Sequence, residues 1–136
     1  MPKVKINNAQ GLVQETGGGI ALFGATQSIT ANATAANAAI LSTTSFVLGD
    51  SGNNSHKIQL PAIGGLDTGH TVIVANVDSA QDFVLVPAAN GTRFNGVAST
   101  PVSVTLAEKT VVKCVYSGKA NPGWIVVVGD QATVPA

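Results

Sequence analysis

Between Lys57 and Val128 the chain alternates short apolar runs with small polar turns. The runs are KIQL (57–60), HTVIVANV (70–77), DFVLV (82–86), PVSVTL (101–106), TVVKCVY (110–116) and WIVVV (124–128), each rich in Val, Ile or Thr. Two substituents on Cβ stiffen these side chains and suit them to a pleated surface. Each run is bounded by turn formers, as in GGLDTG (64–69), DSAQD (78–82), PAANG (87–91) and SGKANPG (117–123). Strand-length runs at such spacing predict an all-β, single-domain antiparallel β-sandwich or jelly roll.

The first fifty residues read differently. Alternation at Val4 and Ile6 predicts a short strand, and Gly17 to Gly19 separate the apolar pair Leu12-Val13 from Ile20-Ala-Leu-Phe23. Three consecutive glycines carry high backbone entropy and read as a hinge. Residues 1–25 are therefore expected to form an extended N-terminal arm, with residues 26–136 as the β-domain. Gln27 to Ala31 and Thr44 to Leu48 predict two further strands. The alanine-rich segment between them predicts at most a helical turn or two, with Thr30 or Asn32 as N-cap. Eight or nine strands are expected in all, enough to fill two sheets.

Composition changes the picture in one respect. At 136 residues the chain suits one domain with one core, and its 45% apolar content is ordinary. Charged residues are only 10%, against about 25% in typical proteins. Seven basic residues balance seven acidic ones, which leaves no net field to steer nucleic acid or an anionic membrane. No apolar stretch approaches the ~20 residues of a membrane span, and the N-terminus lacks the apolar core of a secretion signal. A surface this poor in charge resists self-association weakly. That suits a protein docked in an assembly.

Candidate chemistry is sparse. The only imidazoles, His56 and His70, read as solvent-edge residues of turns, and no G-x-S-x-G motif accompanies them. The carboxylates Glu15, Asp50, Asp67, Asp78, Asp82, Glu108 and Asp130 all lie in or beside predicted turns, where Asp is a common turn former. Asp78 and Asp82 flank one loop in a spacing that suits a shared cation. Asp50-Ser-Gly-Asn-Asn is oxygen-rich but lacks the spaced carboxylates of an EF-hand. The lone Cys114 rules out an internal disulfide and shares a strand face with Val112 and Tyr116, as a small core residue would. Phe46, Phe83, Tyr116 and Trp124 fall in strand patterns and are assigned to the core. Phe94 reads as a loop residue that forms a small contact spot with Arg93. No catalytic residue, metal site or cofactor is expected.

Taken in order, IQLPA (58–62), VIVANV (72–77), FVLVPAANG (83–91), FNG (94–96), VSVTLAEKTVVKCV (102–115) and Trp124 resemble a β-module common among virion proteins of tailed bacteriophages. That module shows a Leu-Pro-Ala, a V-x-V-x-N strand, a V-x-V-x-P-A-x-G turn, an I-N-G turn, a Leu followed by V-x-C, and a closing Trp. The resemblance spans residues 56–128, just over half the chain; Thr92-Arg93-Phe94-Asn95-Gly96 departs from the module's more acidic D-x-I-N-G. It implies a capsid decoration or cement protein, a head fibre or a tail-associated part. The expectation is a non-enzymatic homodimer or homotrimer on the outer capsid surface, made in the bacterial host cytoplasm and bridging subunits of the major capsid protein. A glycan- or host-surface-binding module of a head or tail fibre is the alternative. Lys3, Val4, Lys5, Ile6, Leu22, Phe23, Arg93 and Phe94 are the candidate partner-binding residues. Neither nucleic acid nor membrane is expected as a partner.

Overall fold

The computed structural model describes residues 3–7, 11–16, 25–88, 94, 103–120 and 122–128. It is all-β. Among the described residues ten strands run β1 Lys3–Asn7, β2 Gly11–Thr16, β3 Ala25–Thr30, β4 Thr44–Asp50, β5 Lys57–Gln59, β6 Thr71–Asn76, β7 Phe83–Val86, β8 Val104–Leu106, β9 Val111–Tyr116 and β10 Trp124–Val128. The predicted helical segment is a single 3₁₀ turn, Ala35–Ala38, preceded by Thr34 with no side-chain cap. Asn32 instead closes an Asx turn, accepting from the Thr34 amide at 2.9 Å.

β3, β4, β6, β9 and β10 form an open five-stranded sheet in the order β10-β9-β6-β4-β3, and β5, β7 and β8 a three-stranded sheet in the order β5-β7-β8. β1 and β2 pair antiparallel as a separate two-stranded sheet, with Ile6 opposite Leu12. The expected purely antiparallel pairing is corrected: β3, β4 and β6 run parallel, as do β5 and β7. The cause lies in the connections. After β4 the chain crosses to β5, returns as β6 and crosses again as β7, so each return enters its sheet in the same direction. The link from β3 to β4 makes the same excursion: Ala39 bridges parallel to Gln59 of β5, and the Ile40 amide donates to the Gln59 carbonyl at 2.8 Å. Within these two sheets β8, β9 and β10 turn back antiparallel.

Both sheets contribute to one core. Val47, Val72, Val74, Val112, Cys114 and Trp124 come from the five-stranded sheet, and Ile58, Phe83, Leu85 and Leu106 from the three-stranded one. Period-two alternation accounts for this directly: in β9, Val112, Cys114 and Tyr116 are buried while Val111 and Lys113 are exposed. Asn76 ties the sheets together at the end of β6. Its buried amide donates to the Gln81 carbonyl (2.9 Å) and to the Leu106 carbonyl of β8 (3.1 Å), and its Oδ1 accepts from the Asp78 amide (3.0 Å). Gln27 does similar work at the start of β4, where its Oε1 accepts from the Leu41 amide and the hydroxyl of buried Thr44.

Candidate functional site

The outer face of the five-stranded sheet is the candidate site, and it follows from sequence pattern. Strands that feed the core with every second residue normally present polar residues to water on the other side. Here TVVKCVY and WIVVV are apolar at both parities. The consequence is exposed Val111 (46%), Ile125 (43%) and Val127 (56%), with half-buried Val115 beside them. The register aligns Ile125 with Val115, and Val127 with Lys113, the charged residue on this part of the face. The rows continue across β6 and β4: Lys113 stands beside Ile73 and Ile73 beside Phe46; Val111 stands beside Ala75 and Ala75 beside Leu48. Phe46 is thus half-buried on the outer face, a correction to its assignment to the core; Val47 and Gly49 are the β4 residues that turn inward.

Where the outer face meets the β3 edge, a shallow groove of about 290 Å³ is lined by Ser28, Ile29, Thr30, Leu48, Asp50 and Val77. Leu48 and exposed Val77 supply apolar walls, and Ser28, Thr30 and Asp50 a polar rim. β3 pairs with β4 on one side and is the last strand of its sheet.

The residues singled out from the sequence fall as follows. Lys3, Val4, Lys5 and Ile6 lie on β1. Leu22, Phe23 and Arg93, and the glycines 17–19, lie outside the described residues. Phe94 is fully buried and bridges to Trp124, so it belongs to the core and offers no surface contact. His70 is likewise no mere turn-edge residue: its ring stands edge-on to Trp124, with centroids 6.5 Å apart, and its Nε2 is buried. Tyr116 packs on the other ring contact of Trp124 at 5.9 Å. The Trp124 indole N–H is buried without a hydrogen-bond partner among the described residues. His56 Nδ1 lies 3.1 Å from the Ala31 carbonyl, which holds the end of β3 against the start of β5.

Asp78 acts as a turn former. Asp78 Oδ1 accepts from the Ala80 and Gln81 amides (2.8 and 2.9 Å), and these amides hold its carboxyl below the usual range. Asp82 Oδ1 accepts from the Glu108 amide at 3.2 Å. In the 50–55 loop, Ser51 Oγ donates to the Asn53 carbonyl and Asn53 Oδ1 accepts from the Ser55 amide, so these oxygens close the loop on itself. Among the described residues no three His, Cys, Asp or Glu side chains gather to hold a metal ion. Burial pushes the Cys114 thiol up to about 12, as fits a core residue and not a nucleophile. No helix of the described residues is long and apolar enough to cross a membrane.

No protein-family model matches the chain, and no curated protein matches it.

Proposed function

We propose that the chain is a structural virion protein that decorates and cements the outer surface of a bacteriophage capsid, bridging neighbouring major capsid protein subunits. In this reading the two sheets form the halves of a jelly-roll-like β-sandwich, a stiff body that clamps the lattice. The observation that carries it is the exposed apolar outer face of the five-stranded sheet on a body with no net charge. Contiguous apolar surface of that kind marks an interaction site. The order of motifs from IQLPA to Trp124 supports the same reading, because VIVANV, FVLV and TVVKCVY form β6, β7 and β9 around one core.

The mechanism is linkage. Internal pressure from packaged DNA pulls coat subunits apart, and a clamp that binds only the assembled lattice stabilises it by RT ln(1 + [L]/Kd) per site. Repetition over many sites makes modest single contacts sufficient. The glycan-binding alternative has the groove beside β3 in its favour, with two hydroxyls and a carboxylate. Among the described residues no aromatic ring lines that groove to stack on a sugar, so it ranks second.

The test is to mix purified protein with undecorated heads of the phage that carries its gene. Stoichiometric binding, together with a raised temperature of head disruption, is expected. Heads that stay bare while the protein binds a glycan array overturn the cement reading.

A further inference from the structure

The strand order β10-β9-β6-β4-β3 puts β6 at the centre, flanked by β9 on one side and β4 on the other. The register sets Lys113 of β9 beside Ile73 of β6, and Ile73 beside Phe46 of β4. Lys113 and Phe46 therefore occupy the same row of the outer face, one strand to either side of the centre. Val111 and Leu48 are related in the same way through Ala75. We propose that this face is the contact surface of an isologous two-fold dimer of the chain, with Lys113 of each copy seated on the Phe46 ring of the other.

The geometry of the sheet selects this arrangement. A two-fold axis laid along β6 exchanges the positions of β9 and β4, as an isologous interface requires. Two copies meeting face to face on that axis place an ammonium over an aromatic ring twice, a favourable pairing that strengthens as water leaves. The same operation sets Val111 over Leu48, aliphatic on aliphatic. An axis laid across the strands through the Lys113 row would bring the two ammonium groups together, which like-charge repulsion disfavours. The balanced net charge leaves no long-range repulsion between copies.

Size decides the strength. Five strands spaced ~4.8 Å, each about five residues long at ~3.3 Å rise, make a face of roughly 400 Å² per copy. That is about half the ~800 Å² per partner of a standard stable complex. The dimer is accordingly weak and concentration-dependent in solution. It uses the same face as the proposed head contact, so on a head the coat surface replaces the second copy; the test below concerns the purified chain alone, and its failure leaves the head-binding experiment to stand by itself.

The test is sedimentation equilibrium of the full chain over a range reaching about 1 mM, with near-ultraviolet circular dichroism confirming that each variant is folded. A monomer–dimer equilibrium is expected for the unmodified chain. Phe46→Glu and Phe46→Lys remove the same ring, but only the first leaves a partner for Lys113. Phe46→Lys should weaken the dimer at least tenfold more than Phe46→Glu, and adding Lys113→Glu to Phe46→Lys should restore it. Should position 46 be needed for folding, Lys113→Glu alone, at an exposed position, must weaken association at least tenfold. Equal loss from both Phe46 variants, no rescue by the swap, a trimer, or a monomer throughout the range overturns the proposal.

Discussion

The Cβ that Gly49 lacks would stand 2.7 Å from Cζ and 2.9 Å from Cε1 of Phe83, so a β4 glycine makes room for the largest core ring of the opposite sheet. Ile58 Cδ1 closes the same space at 3.0 Å. Neither neighbour can yield freely, since both are fully buried. Gly49→Ala gains up to ~1 kcal/mol by restricting the unfolded chain but incurs an overpacking cost of about 1–3 kcal/mol. Net destabilisation is expected in urea titration. Phe83→Leu in the Gly49→Ala background should cost less than Phe83→Leu alone; additive losses would show that the two residues do not compete for space.

Trp124 is the sole tryptophan and is fully buried between His70, Tyr116 and Phe94. Trp124→Ala should cost about 3–5 kcal/mol. His70→Ala loses only an edge-on ring contact, worth ~0.5–1.5 kcal/mol. Thermal melts followed at a far-ultraviolet β-band should separate the two by several degrees. Equal melting temperatures would place Trp124 outside the core.

The pattern of strands was largely legible. The six runs between Lys57 and Val128 all contain strands, because β-branched residues between turn formers leave few other conformations. Strand direction was not legible: SGNNSH (51–56) and VDSAQD (77–82) carry ordinary turn chemistry whether the chain reverses within a sheet or crosses to another. β2, Gly11–Thr16, offered only Leu12 and Val13 as apolar signal, and was not read as a strand. Phe94 was misread because TRFNG has a turn's composition, and its burial depends on a bridge to Trp124 that is distant in sequence. The outer face was readable in principle. WIVVV and TVVKCVY have too many apolar residues for a strand with one wet side.

Cys114 supplies a pH-dependent prediction. Burial raises its thiol from 9.0 to about 12, so the neutral thiol is favoured in the folded state. A folded pKa above the unfolded one contributes stability that is complete below pH 9 and is lost as pH rises towards 12, by up to ~1.4 kcal/mol per unit. Cys114→Val should flatten this part of the stability profile relative to the unmodified chain. Ellman's reagent should leave the native thiol unmodified at pH 8 and react with it promptly in denaturant. Rapid native labelling would mean that β9 opens locally.

Asn76 offers the sharpest substitution, because Asn76→Asp changes one NH₂ into an oxygen. The amide now donates to the Gln81 and Leu106 carbonyls from a position only 2% exposed. An ionised carboxylate there faces two acceptors, so two hydrogen bonds are lost and the buried charge keeps only the Asp78 amide as donor. Breaking such a site costs ~3–5 kcal/mol. Protonation restores one donor, so the introduced carboxyl titrates in the folded state above its unfolded value near 4. The sign follows: the penalty relative to the unmodified chain is smallest below pH 4 and grows as pH rises through the folded pKa. Asn76→Ala, which removes both donors and introduces no charge, should show a penalty independent of pH between 4 and 8. Urea unfolding of the three proteins at pH 4 and pH 7 measures the difference. A pH-independent loss in Asn76→Asp would mean that the carbonyls of Gln81 and Leu106 turn to water when Asn76 is replaced, and that the link between the two sheets opens locally.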